Sequence, residues 1–242
     1  MNKLYVVGIG PGAAEDMTLR ARAALDDASV IVGYTTYANL IRPLFPGKEY
    51  IVTGMRRETE RCRAAVECAK AGRTAAIVSS GDAGVYGMAG LALEMAAGTG
   101  VEVEIVPGVT AALSGAARLG APIGHDFAAI SLSDLLTPWE KIEKRLTLAA
   151  EADFCLVLYN PASRRRTDAL KRACEIVMRH ASPDTVCGAV RNAGREGEET
   201  LVMTLRELAS YTADMCTTVF IGNSQTKTVG SGIVTPRGYK DV

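Results

Sequence analysis

The sequence predicts an α/β protein built as two α/β lobes in tandem, and three observations carry that expectation. Short apolar runs rich in β-branched residues alternate with segments whose apolar residues recur at helical spacing. Most of these segments end in Gly, Pro or Asn turns. A small-residue stretch, "PGVTAALSGAARLGAPIG" (107–124), interrupts the alternation near the middle of the 242 residues.

Taken in order, "KLYVVGIG" (3–10) reads as a strand and "MTLRARAALDDA" (17–28) as a helix, followed by the strand "SVIVGY" (29–34). "RETERCRAAVECAKAG" (57–72) is a helix closed by Gly72, which supplies the left-handed conformation common after a helix end. The strand "RTAAIVSSG" (73–81), the helix "GMAGLALEMAAGTG" (87–100) and the strand "VEVEIVPG" (101–108) complete the first lobe. Strands separated by helices predict a parallel sheet with right-handed crossovers. Beyond the small-residue stretch, strands are expected over 126–132, 153–160, 185–194, 200–204 and 216–222, with helices over 138–152 and 166–181. The expected lobes are 1–118 and 119–242, with the ligand in the cleft between them.

A chain of 242 residues buries enough surface to need no disulfide or metal staple. Lys plus Arg and Asp plus Glu both total 27, so no basic excess argues for a nucleic-acid partner. The six cysteines form no C-x-x-C pair and there are two histidines, so metal-ligand spacing is absent and no metal is expected. Scattered cysteines suit reduced thiols in the cytoplasm. The amino terminus shows no cleavable signal pattern and no apolar run reaches membrane length, so a membrane partner is not expected either.

The loops after the expected strands carry the chemistry. "VGIGPGAAED" holds Gly8, Gly10 and Gly12, and Gly8-x-Gly10-x-x-Ala13 loosely fits a dinucleotide fingerprint. That reading needs a carboxylate near the end of the second strand to hold a ribose, and "SVIVGYTTY" has none. Pro11 also removes a backbone donor that pyrophosphate would use. "SSGDAGVYGMAG" (79–90) combines bare backbone with Asp82, a carboxylate that repels phosphate but suits hydroxyls, an ammonium or a sulfonium; Asp82 acting only as a helix cap is an equal reading. In "PGVTAA" (107–112), Thr110 is placed to cap a helix. His125 precedes a strand, and Ser131, Ser133 and Asp134 gather at its far end. "YNPASRRRTD" (159–168) sets Arg164, Arg165 and Arg166 at an expected helix start, against the helix dipole, which favours an anionic partner for them. "AVRNAG" (189–194) ends a further strand with Arg191.

The ordered set "VGIGPG", "SSGDAGVYG", "VPGVTA", "YNP" and "VRNAG" resembles the tetrapyrrole methylase family, over about residues 3–223. "GHDFAAISLSDLLTPW", "YNPASRRR" and "TPRGY" look like the branch that methylates C17 of precorrin-3B or cobalt-precorrin-3 in cobalamin biosynthesis and contracts the ring. The resemblance implies a mostly parallel N-terminal sheet, a mixed C-terminal sheet, a homodimer and S-adenosylmethionine as methyl donor, leaving S-adenosylhomocysteine. It implies cofactor contacts from Pro11, Gly81, Asp82, Ala83, Tyr86, Thr110, Ala111, Leu132, Asn160 and Ala193. The family loop often reads Gly-Asp-Pro, and Ala83 stands here in place of the Pro. Arg164, Arg165, Arg166 and Arg191 are candidates for orienting the carboxylates of a tetrapyrrole substrate, and Asp82, His125 and Asp134 for acid–base work during contraction. Longer members add an iron–sulfur domain, and no cysteine cluster here suggests one. The competing readings are a sibling methylase acting at another ring position or on RNA or a diphthine precursor, and a dinucleotide-binding regulatory domain.

Overall fold

The structure is a computed structural model and describes residues 2–163 and 166–240. It divides into two compact units, Met1–Ala111 and Ala112–Val242. The chain therefore changes unit inside the small-residue stretch, a few residues earlier than its Gly/Pro punctuation suggests.

The first unit runs β1 (Lys3–Gly8), α1 (Leu19–Asp27), β2 (Val30–Tyr34), α2 (Thr35–Ile41), β3 (Glu49–Thr53), α3 (Glu58–Lys70), β4 (Ala75–Ser79), α4 (Ala89–Ala96) and β5 (Glu102–Val106). Its strands lie in the order β3-β2-β4-β1-β5, every pair parallel. β1, β2 and β4 are interior and buried on both faces, which is why they read as unbroken apolar runs. The alternation of side chains sorts the helices by face. Leu4, Val6, Val30, Val32 and Ile77 pack with Cys62, Ala65 and Val66 of α3 and Ala89 and Ala92 of α4. Tyr5, Val7, Ile31 and Val78 pack on the other face with Ala21 and Leu25 of α1 and Ile41 of α2. Residues 35–53, where the sequence pattern suggests no element, supply α2 and the edge strand β3. β3 is half-exposed and charged at its start, so it lacks the apolar run of its neighbours.

The second unit contains α5 (Ala111–Leu119), β6 (Gly120–Ala121), β7 (Phe127–Ser131), α6 (Trp139–Glu151), β8 (Cys155–Tyr159), α7 (Ala169–Val177), β9 (Val186–Arg191), β10 (Glu199–Thr204), α8 (Leu205–Leu208), β11 (Thr217–Ile221), β12 (Lys227–Val229) and β13 (Gly232–Val234). Its main sheet has the order β10-β9-β11-β8-β7. Only β7 and β8 pair in parallel there and the other pairs are antiparallel, so the sheet is mixed. β12 and β13 follow the strand that the sequence pattern places last and form a small sheet with β6, in the order β12-β13-β6. The small-residue stretch 107–124 contains α5, which begins directly after Thr110, the residue placed to cap a helix there. A Cβ on Gly115 of α5 would lie 2.8 Å from the Phe220 ring, and one on Gly188 of β9 would lie 2.6 Å from Leu119. Small residues let α5 sit hard against β9 and β11.

Both β8 and β9 run antiparallel to β11, and β7 runs parallel to β8. The carboxyl ends of β7, β8 and β9 therefore share one edge of the second sheet, as those of all five strands do in the first. Among the described residues no helix is long and apolar enough to cross a membrane.

Candidate active site

In the first unit, three loops leave the carboxyl ends of β4, β1 and β5, which are neighbours in the sheet. Their backbones approach so closely that side chains are excluded. A Cβ on Gly8 would lie 2.7 Å from both the Gly108 nitrogen and the Gly81 oxygen, and one on Gly108 would lie 2.2 Å from the Gly81 oxygen. Gly10 and Gly81 exchange backbone hydrogen bonds of 3.0 and 2.7 Å. Gly81 at φ 67° and Tyr86 at φ 54° are both left-handed, a conformation costing of order 1–3 kcal/mol for a bulky side chain unless its surroundings enforce it.

Asp82 is the fastening of this region. Its Oδ1 accepts from the amides of Gly84 at 2.7 Å and Val85 at 3.1 Å, and its Oδ2 accepts from the Gly108 amide at 3.0 Å. One carboxylate thus shapes its own loop and ties it to the loop after β5. Thr18 extends the tie, capping α1 through the Ala21 amide at 3.0 Å and donating to the Pro107 carbonyl at 3.3 Å. Pro11 and Ala83 are buried, while Tyr86 is half-exposed.

In the second unit, the loops after β7 and β8 are bound together. Leu132, fully buried, donates its amide to the Tyr159 carbonyl at 2.9 Å and so extends the β7–β8 ladder. Asn160 turns the chain at φ 53°, a conformation Asn tolerates, and its Nδ2 donates to Ser131 Oγ at 2.9 Å. Arg166 donates through Nη1 to the carbonyls of Leu132 at 2.7 Å and Asn160 at 3.4 Å, and its Nε lies 3.1 Å from Asp134 Oδ1. Tyr159 accepts the Ala112 amide at 2.9 Å and so satisfies a first-turn donor of α5. After β9, Asn192 repeats the turn at φ 53°, and Ala193 packs partly against the Leu119, Val190 and Phe220 cluster. Arg191 is held between Asp214 at 2.7 Å and Glu199 at 3.5 Å. Burial opposes ionisation of Asp214, but hydrogen bonds from Arg191, Thr217 and the Cys216 amide outweigh it and lower its pKa.

The structure therefore gathers Gly81, Asp82, Ala83 and Tyr86 with Gly8 and the loop carrying Thr110 and Ala111, and separately gathers Leu132, Asp134, Asn160 and Arg166. His125 lies apart from Asp134. It precedes the amino end of β7, where its Nδ1 accepts the Asp126 amide at 2.8 Å, so the five-residue strand, about 17 Å long, separates the two. Arg164 and Arg165 lie outside the described residues. Arg166 precedes α7 rather than opening it, because its backbone is committed to paired hydrogen bonds of 3.0 Å with Ser163. Its approach to Asp134, not the dipole of α7, is the charge interaction that places it. Among the described residues no group of three or more His, Cys, Asp or Glu side chains is arranged to hold a metal.

Sequence reasoning passed over Tyr159 as a cap for α5, Gly8 and Gly108 as a packing pair, and Arg61. The last is 4% exposed on α3, with Nε donating to Thr53 Oγ1 at 2.9 Å and Nη2 to the Gly54 carbonyl at 3.1 Å.

Residues 3–209 match the model of the tetrapyrrole (corrin/porphyrin) methylases. The chain belongs to that family. Its relatives include a cobalt-factor III methyltransferase of Priestia megaterium, 48% identical over 98% of this chain. They also include a precorrin-3B C(17)-methyltransferase of a Sinorhizobium species, 43% identical over 98% of this chain. The chain spans 45% of the Priestia protein's length and 96% of the Sinorhizobium protein's. The crystal structure of the methyltransferase CobJ superposes with a TM-score of 0.89 at 41% identity, covering 96% of this chain and 99% of that one. A tetrapyrrole methylase with a parallel first sheet and a mixed second sheet is thus what the resemblance of the loop motifs implied.

Proposed function

We propose that this chain is a methyltransferase of cobalamin biosynthesis that moves a methyl group from S-adenosylmethionine to C17 of cobalt-factor III or precorrin-3B. The observation that carries the reading is identity along almost the whole of both this chain and the Sinorhizobium precorrin-3B C(17)-methyltransferase. The donor fits the residues present. The loops after β1 and β4 offer closely spaced backbone without a Lys, and the negative charge of Asp82 is spread over three amides. Such a surface disfavours a polyphosphate and accepts a sulfonium nucleoside. We assign Pro11, Gly81, Asp82, Ala83, Tyr86, Thr110 and Ala111 of the first unit, and Leu132, Asn160 and Ala193 of the second, to holding it.

The bound donor supplies an already activated methyl group, so no nucleophilic side chain is required. The protein's contribution is alignment, which in intramolecular reactions reaches effective molarities of about 10⁵–10⁸ M. Asp82 contributes by holding two loops in register, and Arg166 by fixing the loops that carry Leu132 and Asn160. Contraction of the ring after methylation is part of the proposal, and a proton acceptor for it is sought among Asp82, His125 and Asp134.

The test is incubation of the purified chain with S-adenosylmethionine and either cobalt-factor III or metal-free precorrin-3B. The expected result is gain of one methyl group by mass, located at C17 by NMR, with an absorbance change reporting contraction. A protein that binds adenosylhomocysteine and methylates neither macrocycle would remove the reading.

A further inference from the structure

We propose that Arg61, under the carboxyl ends of β2 and β3, is an anion subsite that receives a peripheral carboxylate of the macrocycle. The identity of that ligand rests on the function proposed above. Nε and Nη2 of Arg61 donate to Thr53 Oγ1 and the Gly54 carbonyl, Nη1 lies 3.7 Å from Met88 Sδ, and the guanidinium carbon is 6.0 Å from the centre of the Tyr34 ring. Every one of these partners is uncharged. No carboxylate among the described residues forms an ion pair with Arg61; Glu60, one residue before it, is bonded to Arg57 at 3.0 Å. A guanidinium carries five donors and cannot shed its charge, and a buried cation is ordinarily paired.

The charges next to Arg61 in sequence are mixed: Arg57 is paired with Glu60 at 3.0 Å, and Glu58 lies in the same first turn of α3. The N-cap of α3 is Arg57, which makes no side-chain cap bond, so the positive end of this 13-residue helix is presented in the same turn. Stability alone would favour a Ser or Asp at that cap and an apolar residue at position 61.

Gly54 provides the approach. Its φ is not left-handed, and a Cβ there would meet nothing within 4 Å, so neither the turn nor packing requires glycine. Its missing side chain leaves open space beside the carbonyl to which Nη2 of the buried Arg61 donates. The topology places the opening sensibly. The helices after β2 and β3 pack on opposite faces of the sheet, and strand ends that part in this way form the crevices where open α/β sheets bind ligands. β2 is the sheet neighbour of β4, about 5 Å from the strand that carries the Asp82 loop. A flat, multiply carboxylated ligand lying along this edge meets both.

The experiment titrates wild type, R61Q, R61K and G54L with cobalt-factor III in the presence of adenosylhomocysteine, and measures KM, kcat and Tm for each. The expected result for R61Q is a macrocycle Kd and KM raised tenfold or more, with the adenosylhomocysteine Kd and the kcat at saturating macrocycle within twofold of wild type. R61K should recover part of the loss. G54L should keep the wild-type Tm and still raise KM severalfold. If R61Q does not fold, G54L decides. A lowered Tm with wild-type macrocycle affinity in both R61Q and G54L overturns the subsite and leaves Arg61 a structural clamp. A wild-type protein that binds adenosylhomocysteine but no macrocycle fails earlier, and overturns the proposed function together with the subsite built on it.

Discussion

Asp82 shows how a single side chain can set a site without touching a reacting atom. Its two oxygens take three backbone amides from two loops, and hydrogen bonds to a charged group are each worth about 1.5–3 kcal/mol. D82A should lower Tm and weaken adenosylhomocysteine binding at least tenfold by calorimetry, with D82N intermediate because it keeps one acceptor oxygen. Wild-type affinity in D82A would remove this fastening role. Arg166 and Asp134 form a second, unequal pair. Asp134 is nearly half exposed, whereas Arg166 also satisfies two carbonyls. In denaturant unfolding D134N should cost about 0–1 kcal/mol, as for a surface ion pair, and R166M about 1–3 kcal/mol more for the orphaned carbonyls. Equal costs would show that the carbonyl contacts contribute nothing. Gly81, Asp82 and Asn160 were legible as residue types at strand ends. The bonds they make were not, since Gly108 and Ser131 are distant in sequence from their partners. Arg61 left a trace: it shares the stripe of Cys62, Ala65, Val66 and Ala69 that α3 buries, and an arginine in that register is the signal that was overlooked.

At the scale of elements, the glycines differ in what they do. Gly8 and Gly108 permit three strand ends to converge, so G8A and G108A should each cost about 1–3 kcal/mol or more through forced backbone shifts. Gly90 sits exposed within α4, where an added methyl would meet nothing within 4 Å, so G90A should instead stabilise by about 0.5–1 kcal/mol. Thermal unfolding of the three variants checks both signs, and a destabilised G90A would contradict the open space described beside it. Buried parallel strands were readable because both their faces demand apolar residues, which is why β1, β2 and β4 stood out. β3 did not, since an edge strand carries a weaker pattern. α5 was legible only at its start, where Thr110 is placed to cap a helix. Its packing was not, because Phe220 fills the space beside Gly115 and Leu119 the space beside Gly188, and these pairs are distant in sequence.

For the whole molecule, the carboxylates with resolved shifts all move the same way. Arg73 lowers the pKa of Glu49, Arg20 that of Glu104, the Gly194 amide that of Glu198 and the Thr204 amide that of Glu207, all from 4.5. Asp214 is lowered from 3.8 despite its burial. A depressed folded-state pKa adds stability that is complete above the unfolded value and is lost as pH falls through the folded one. The urea midpoint should therefore hold steady above these ordinary values and drop below them, and D214N should blunt the drop; a midpoint rising with acid would refute the assignment. Burial raises the thiols of Cys62 to about 11 and Cys174 to about 12, and pushes Cys187 up as well. Alkylation of native protein at neutral pH, read by mass spectrometry, should thus mark exposed Cys216 first and these three only on unfolding. By itself the sequence determined the α/β class, the position of most strands, the family and the loops where chemistry is expected, because periodicity, turn residues and glycine clusters are local properties of a chain. Only the tertiary structure decided that Asp82 is a fastener, that Arg166 meets Asp134 and that Arg61 is buried without an anion. Those facts depend on which strands become neighbours, and strand order is set by packing between residues far apart in sequence.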